Sequence, residues 1–172
     1  KGLRSTLLRA VERWCLRRVA LLVLSSPGFH RSYFAAIQDY RGPWFLLENK
    51  LYPSPPPPPR HGRRPAGRPW VVGYFGLIRG DATVDLIRRL ATRLGDRVRF
   101  RFAGVLTTVA QARFDALLRD CPNIEYCGPY LPQQDLERLY RDVDFAWALD
   151  LEHTEHNSRW LMPCRFYEAG FH

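Results

Sequence analysis

Lysine is almost missing from this chain: of its 26 basic residues only Lys1 and Lys50 are lysine, and the other 24 are arginine. The net charge of +9 is therefore carried by guanidinium groups, clustered at residues 13–18 and 60–68 and otherwise spread evenly. That spread implies either a diffuse preference for anions or an arginine-rich compositional habit. No zinc-finger spacing and no RNP-like aromatic motif accompanies it, so no specific nucleic-acid partner is expected. The four cysteines, Cys15, Cys121, Cys127 and Cys164, are widely scattered and form no CxxC pair, which fits a reduced, cytosolic chain best. No apolar run approaches the roughly 18 residues of a spanning helix; VALLVL at residues 19–24 is strand-sized. A P-loop, a Ser-His-Asp arrangement, a Cys-His nucleophile and a secretory signal are all unrecognisable.

What is present alternates between helical and strand periodicity. Leu3, Leu7, Val11 and Trp14 share one helical face with Leu8 and Cys15, while Arg9, Arg13 and Arg17 line the other. Such a basic amphipathic helix either packs on a sheet with a solvated back or lies on an anionic lipid surface. A strand at residues 19–24, a helix at 30–40 and a strand at 43–50 follow. Residues 1–52 thus read as the tail of an α/β domain. Residues 53–69, with five consecutive prolines, read as a semi-rigid linker, in preference to a ligand for SH3- or WW-type modules.

From Trp70 onward the pattern is β-α repeated: a strand WVVGYFG, a helix over 81–94 with Asp81 as N-cap, and a strand over 97–104. A helix stopped by Cys121-Pro122, a strand NIEYCG, a helix opened by Pro132 and a strand VDFAWAL complete it. Repeated β-α units predict a parallel, Rossmann-like sheet with right-handed crossovers, its ligands at the carboxyl ends of the strands. The chain starts at Lys1 and ends inside a helical pattern, so a piece of a longer protein, inactive on its own, is expected.

Three loops fall on that carboxyl edge. In GYFGLIRG the spacing is not GxGxxG, which argues against a dinucleotide fingerprint, but Gly76 lets a ligand approach the backbone and Arg79 can reach a phosphate. DLEHTEHNSRWLMP carries His153 and His156 in a spacing that fits neither HExxH nor HxxEH, so a polar substrate loop is expected in place of a metal site. PCRFYEAG opens a helix whose start Pro163 pre-sets. Its amides can meet a diphosphate, Arg159 and Arg165 flank it, and Glu168, about one turn in, can accept from ribose or sugar hydroxyls.

Taken in order, VVGYFGLIR, RFRFAG, NIEYCGPYLPQQDLERLYRDVDFAWALD and NSRWLMPCRFYEAG resemble the donor half of GT-B retaining glycosyltransferases of family 4, of the exopolysaccharide-building kind. The resemblance covers residues 70–170. It implies that 70–172 is a donor-nucleotide domain and 1–52 the end of the acceptor-side domain. Glu168 looks like the second glutamate of the family's E-x7-E element, holding the donor ribose. Gly76 and Arg79 fall by the diphosphate-facing loop, and Asn157, Arg159 and Arg165 would embrace sugar and phosphates. The first glutamate falls on position 160, where this chain has Trp160, so donor identity does not carry over.

The activity implied is sugar transfer from a nucleotide-diphosphate donor to a lipid-linked or polysaccharide acceptor, with retention and without a permanent cofactor or obligatory metal. The location implied is cytoplasmic, with peripheral contact at the inner face of an anionic plasma membrane. A non-catalytic nucleotide-sugar or phospho-ligand module and a basic membrane- or nucleic-acid-associated scaffold are the alternatives.

Overall fold

The computed structural model describes residues 2–50, 67–152 and 157–172. Most of the expected linker and the HTEH tract at 153–156 lie outside the described residues. Of those described, 2–49 and 157–162 form one compact unit, and 50, 67–152 and 163–172 form another.

The first unit contains α1 (Leu3–Leu16), β1 (Leu22–Leu24), α2 (Pro27–Phe29), β2 (Trp44–Leu46) and α6 (Asn157–Trp160). Ser26 caps α2 by accepting from the Gly28 amide at 3.1 Å. The helix expected over 30–40 is shorter, a π-helical turn over His30–Ala35 continuing α2. It ends at Ala35, and four residues on Asp39 takes a positive φ of 55°, a conformation through which no helix could have continued to residue 40. The strand expected over 43–50 shrinks to the three residues that pair in parallel with β1.

The apolar face of α1 is the main departure in this unit. Packing on a sheet would bury Leu7, Leu8, Val11 and Trp14, yet all four are exposed. The opposite side is the one engaged. Leu16 is buried, the Glu12 carboxylate accepts from Tyr33 Oη and Gln38 Nε2, and Arg13 Nη2 donates to the Ile37 carbonyl at 2.9 Å. Gln38 is itself buried. A buried amide needs a partner, and the Glu12 side of the helix supplies it.

The second unit is the Rossmann-like α/β fold. Its sheet has the order β5-β4-β3-β6, every pair parallel: β3 (Trp70–Ile78), β4 (Val98–Leu106), β5 (Ile124–Tyr126) and β6 (Phe145–Ala146). α3 (Asp81–Leu94) and α4 (Gln111–Asp120) give Val84, Ile87, Phe114 and Leu117 to a cluster with Tyr74, Phe100 and Phe102. α5 (Pro132–Tyr140) and α7 (Cys164–Phe171) contribute Leu136, Leu139, Tyr140 and Ala169 to a second cluster with Phe75 and Ala103. Tyr74 and Phe75 are consecutive, so strand alternation alone sends one ring to each cluster. Each fully buried large side chain is worth roughly 1.5–3 kcal/mol.

Two details correct the sequence reading. Asp81 is not the N-cap of α3: Gly80, with φ 78°, holds that position. Asp81 lies in the first turn and pairs with Arg113 at 3.4 Å, where its charge still favours the helix dipole. The seven-residue strand VDFAWAL narrows to Phe145–Ala146. Its pairing with β3 ends where the Trp147 amide donates to the Gly73 carbonyl at 2.7 Å, whereas β4 follows β3 as far as Ile78 opposite Leu106.

That inequality positions the site. The strands lead from β3 outward to β4 and β5, and the chain then returns to the other side of β3 for β6. The order therefore reverses between β3 and β6, and beyond Gly73 those two strands part. A crevice at such a reversal is where open parallel sheets hold ligands.

Candidate functional site

Tyr74 is the first residue of β3 beyond Gly73, where the contact with the β6 side ends. It is buried, its hydroxyl donates to the Leu77 carbonyl at 3.2 Å, and the Arg79 amide donates to it at 3.4 Å. A tyrosine in a buried strand must satisfy its hydroxyl, and here it does so on the turn that leaves β3. The sequence reading passed over it; the signal was a phenol in an otherwise apolar strand.

Over the Tyr74 ring lies the guanidinium of Arg165, its central carbon 4.6 Å from the ring centroid. Arg165 is only 8% exposed. Its position follows from the helix: Pro163 is the N-cap of α7, in extended conformation, which puts Arg165 in the first turn. Stacking on an aromatic face suits a planar, weakly hydrated cation. Yet Nη1 of Arg165 is buried without a hydrogen-bond partner among the described residues. A buried charged donor left unpaired is costly, so an anion brought to this atom would be strongly favoured.

Glu168 lies one helical turn further along α7, half-buried. Burial pushes its carboxyl above the usual carboxylate range, against the opposing pull of Arg165 and of a hydrogen bond from Tyr140. The Tyr140 hydroxyl also faces the Arg165 carbonyl oxygen at 3.4 Å. Burial first, and the Glu168 charge second, raise the phenol pKa of both Tyr140 and Tyr130. Glu168, Arg165, Tyr140 and Tyr130 thus form one electrostatic cluster.

Arg79 behaves differently from the expectation of a loop arginine open to phosphate. Its guanidinium pairs with the Asp150 carboxylate, and its Nε is 3.6 Å from Glu152 Oε2. Asp150 also accepts from the Glu152 amide at 3.1 Å, and the Gly80 amide donates to Thr108 Oγ1 at 3.1 Å. Two acids after β6 thus tie down the turn after β3. In the sequence Glu152 stood out only beside His153, His156 and Glu155 in a metal reading that was set aside, and Asp150 not at all, because its partner Arg79 lies 71 residues away in the chain.

Gly76 has φ 115°, and a Cβ built there would meet nothing within 4 Å, so its backbone is open to approach. At its neighbour across the sheet, Gly104 with φ 136°, a Cβ would stand 1.8 Å from the Gly76 carbonyl oxygen. Gly104 is therefore required by close backbone contact.

Asn157 opens α6 and Arg159 is exposed on it, both in the first unit. The structure accordingly brings together Arg165 and Glu168, links them through Tyr74 to the backbone of Arg79, and assigns Asn157 and Arg159 to the other unit. Trp160, at the position of the missing glutamate, packs edge-on to Phe29 at 6.2 Å and near Tyr33 at 6.3 Å.

No family model matches the chain. Over 184 residues it is 30% identical to the succinoglycan biosynthesis protein ExoL of Rhizobium meliloti (strain 1021), a match that takes in all of this chain and 44% of that protein. The chain thus spans less than half the length of the curated relative it matches.

Proposed function

We propose that this chain is the donor-binding part of a glycosyltransferase of exopolysaccharide synthesis, moving a sugar from a nucleotide-diphosphate donor to a lipid-linked or polysaccharide acceptor with retention. The observation that carries the reading is the buried guanidinium of Arg165 with its unpartnered Nη1, at the crevice where β3 and β6 part. A diphosphate oxygen there would complete its hydrogen bonding. Glu168 would accept from the ribose hydroxyls, and the open backbone at Gly76 would let the phosphates come close. Arg79, neutralised by Asp150 and Glu152, would shape the turn and carry little of the phosphate charge.

The relative supports this reading by its printed role in succinoglycan biosynthesis. Chemically, a diphosphate leaving group gains negative charge as the glycosidic bond breaks. A preorganised guanidinium in a water-poor crevice stabilises that charge, and no metal is required for it. Ground-state binding and leaving-group stabilisation then fall to the same side chain.

The test is turnover by the full-length protein. A panel of radiolabelled nucleotide-diphosphate sugars is offered with lipid-linked acceptors, and the anomeric configuration of the product is read by NMR. Transfer with retained configuration is the expected result. Donor binding without transfer makes the protein a non-catalytic module, and the absence of donor binding defeats the reading altogether.

A further inference from the structure

We propose that the cavity between the end of α1 and the loop leading into β2 binds a soluble sugar phosphate. This does not rest on the donor-site reading, since every residue involved belongs to the first unit and none lies in the crevice. The cavity also stands at the amino ends of the strands: Val19 precedes β1, and residues 38–42 precede β2. The ordinary ligand edge of a parallel sheet is the carboxyl one.

The cavity measures about 340 Å³, and its walls are Arg13, Leu16, Arg17 and Val19 on one side and residues 38–42 on the other. Local backbone requirements fix the second wall. Asp39, with φ 55°, turns the chain so that Gln38 and Tyr40 on either side of it are both buried. Tyr40 Oη donates to the Pro43 carbonyl at 2.7 Å, and a Cβ built on Gly42 would stand 2.6 Å from that hydroxyl oxygen. On the first wall, Arg13 is anchored through Nη2 to the Ile37 carbonyl at 2.9 Å.

Two features of the lining select a ligand. The first is charge: Arg13, Arg17 and Arg41 share the cavity with one carboxylate, Asp39, which is already paired with Arg41 at 2.8 Å. The end of α1 adds little negative charge, because the Arg18 and Val19 amides donate to the Cys15 and Leu16 carbonyls at 2.9 and 3.3 Å. An anion is therefore favoured, and guanidinium forks match phosphate. The second feature is Gln38. Its Nε2 donates to the Glu12 carboxylate and, at 3.1 Å, to Tyr33 Oη. A carboxylate only accepts, so the amide must present its NH2 end to Glu12, and the carbonyl end is left over. That Oε1 is buried without a hydrogen-bond partner among the described residues, which is costly until a donor reaches it.

A ligand that answers both features carries a phosphate for the arginines and a neutral hydroxyl for Gln38. A hexose phosphate has both, and a cavity of this size admits it. An amino acid would supply a donor too, but its ammonium would enter among three arginines.

The experiment is calorimetric titration of the full chain with glucose 6-phosphate, glucose and inorganic phosphate. It compares the wild type, Arg17→Gln/Arg41→Gln and Gln38→Leu. Arg17 and Arg41 are exposed, so their replacement spares the core; far-UV circular dichroism checks the buried Gln38 position. Glucose 6-phosphate should bind the wild type at least about tenfold more tightly than glucose or phosphate, because it alone meets both features. Arg17→Gln/Arg41→Gln should weaken it at least about tenfold and leave uridine diphosphate affinity unchanged. Gln38→Leu should bring glucose 6-phosphate down to the level of inorganic phosphate, and the arginine variant decides alone should that chain fail to fold. No binding of glucose 6-phosphate overturns the proposal, as does binding equal to that of inorganic phosphate, which would mean an adventitious ion only. So does a parallel loss of uridine diphosphate affinity in the arginine variant, because both ligands would then share one site.

Discussion

Arg165 rests its guanidinium on the ring of Tyr74, 4.6 Å from the centroid, and the same tyrosine accepts the Arg79 amide at 3.4 Å. One phenol therefore supports the cation of the helix after β6 and the turn after β3. The two loops that frame the crevice are coupled through a residue that needs no contact with ligand.

Replacing Arg165 by methionine separates a binding role from a structural one. A buried cation without a full set of partners costs folding free energy, so Arg165→Met should leave the melting temperature of the ligand-free protein unchanged or raise it. Pyrophosphate affinity should fall at least about tenfold. Differential scanning fluorimetry and calorimetry measure the two effects on the same sample. A large loss of stability would mean that Arg165 is a structural strut.

Tyr74→Phe keeps the aromatic platform and removes the hydroxyl. The Leu77 carbonyl and the Arg79 amide lose their partner, which should cost about 1–2 kcal/mol, visible as a fall in thermal midpoint. Pyrophosphate binding should persist. Tyr74→Leu removes the platform as well and should weaken binding in addition.

Gly104→Ala would force a methyl carbon to within 1.8 Å of the Gly76 carbonyl oxygen, at a residue whose φ is 136°. Both the clash and the conformation oppose it, so a loss of about 3 kcal/mol or more is expected in urea unfolding. Gly76→Ala meets no atom within 4 Å. It pays only for its positive φ and should cost clearly less.

The raised pKa of Glu168 has a definite sign. Burial favours the protonated carboxyl in the folded chain. Between the ordinary carboxylate pKa and the raised one, the folded state holds more protons than the unfolded state, and stability falls as pH rises. The difference in stability between wild type and Glu168→Gln should therefore change across that window, with the variant gaining on the wild type as pH increases. Parallel stability profiles would show that Glu168 is not buried in solution.

The second unit was largely legible in the sequence because its signals are local. The helix at 81–94 matches its predicted bounds, and Pro132 opens its helix at the first position as expected, while Pro163 stands one residue earlier, as the extended N-cap of α7. Strand lengths were less legible. VDFAWAL has strand composition throughout, but only Phe145 and Ala146 have a partner in register, and pairing is a property of the neighbour. The apolar stripe of α1 was read correctly as a stripe, while its direction depended on Glu12 meeting Tyr33 and Gln38, more than 20 residues away. At the site, Arg165 and Glu168 could be singled out from helix position alone. Tyr74, Asp150 and Glu152 matter through contacts between different β-α units, which no spacing in the chain encodes.

The central claim is that Arg165 holds a diphosphate and Glu168 the ribose attached to it. Calorimetric titration with pyrophosphate and with uridine and guanosine diphosphates, on the wild type, Arg165→Met and Glu168→Ala, tests it most directly. Arg165→Met should weaken every ligand at least about tenfold, and Glu168→Ala only the nucleotides. Nucleoside diphosphate affinities unchanged in both variants would contradict the account.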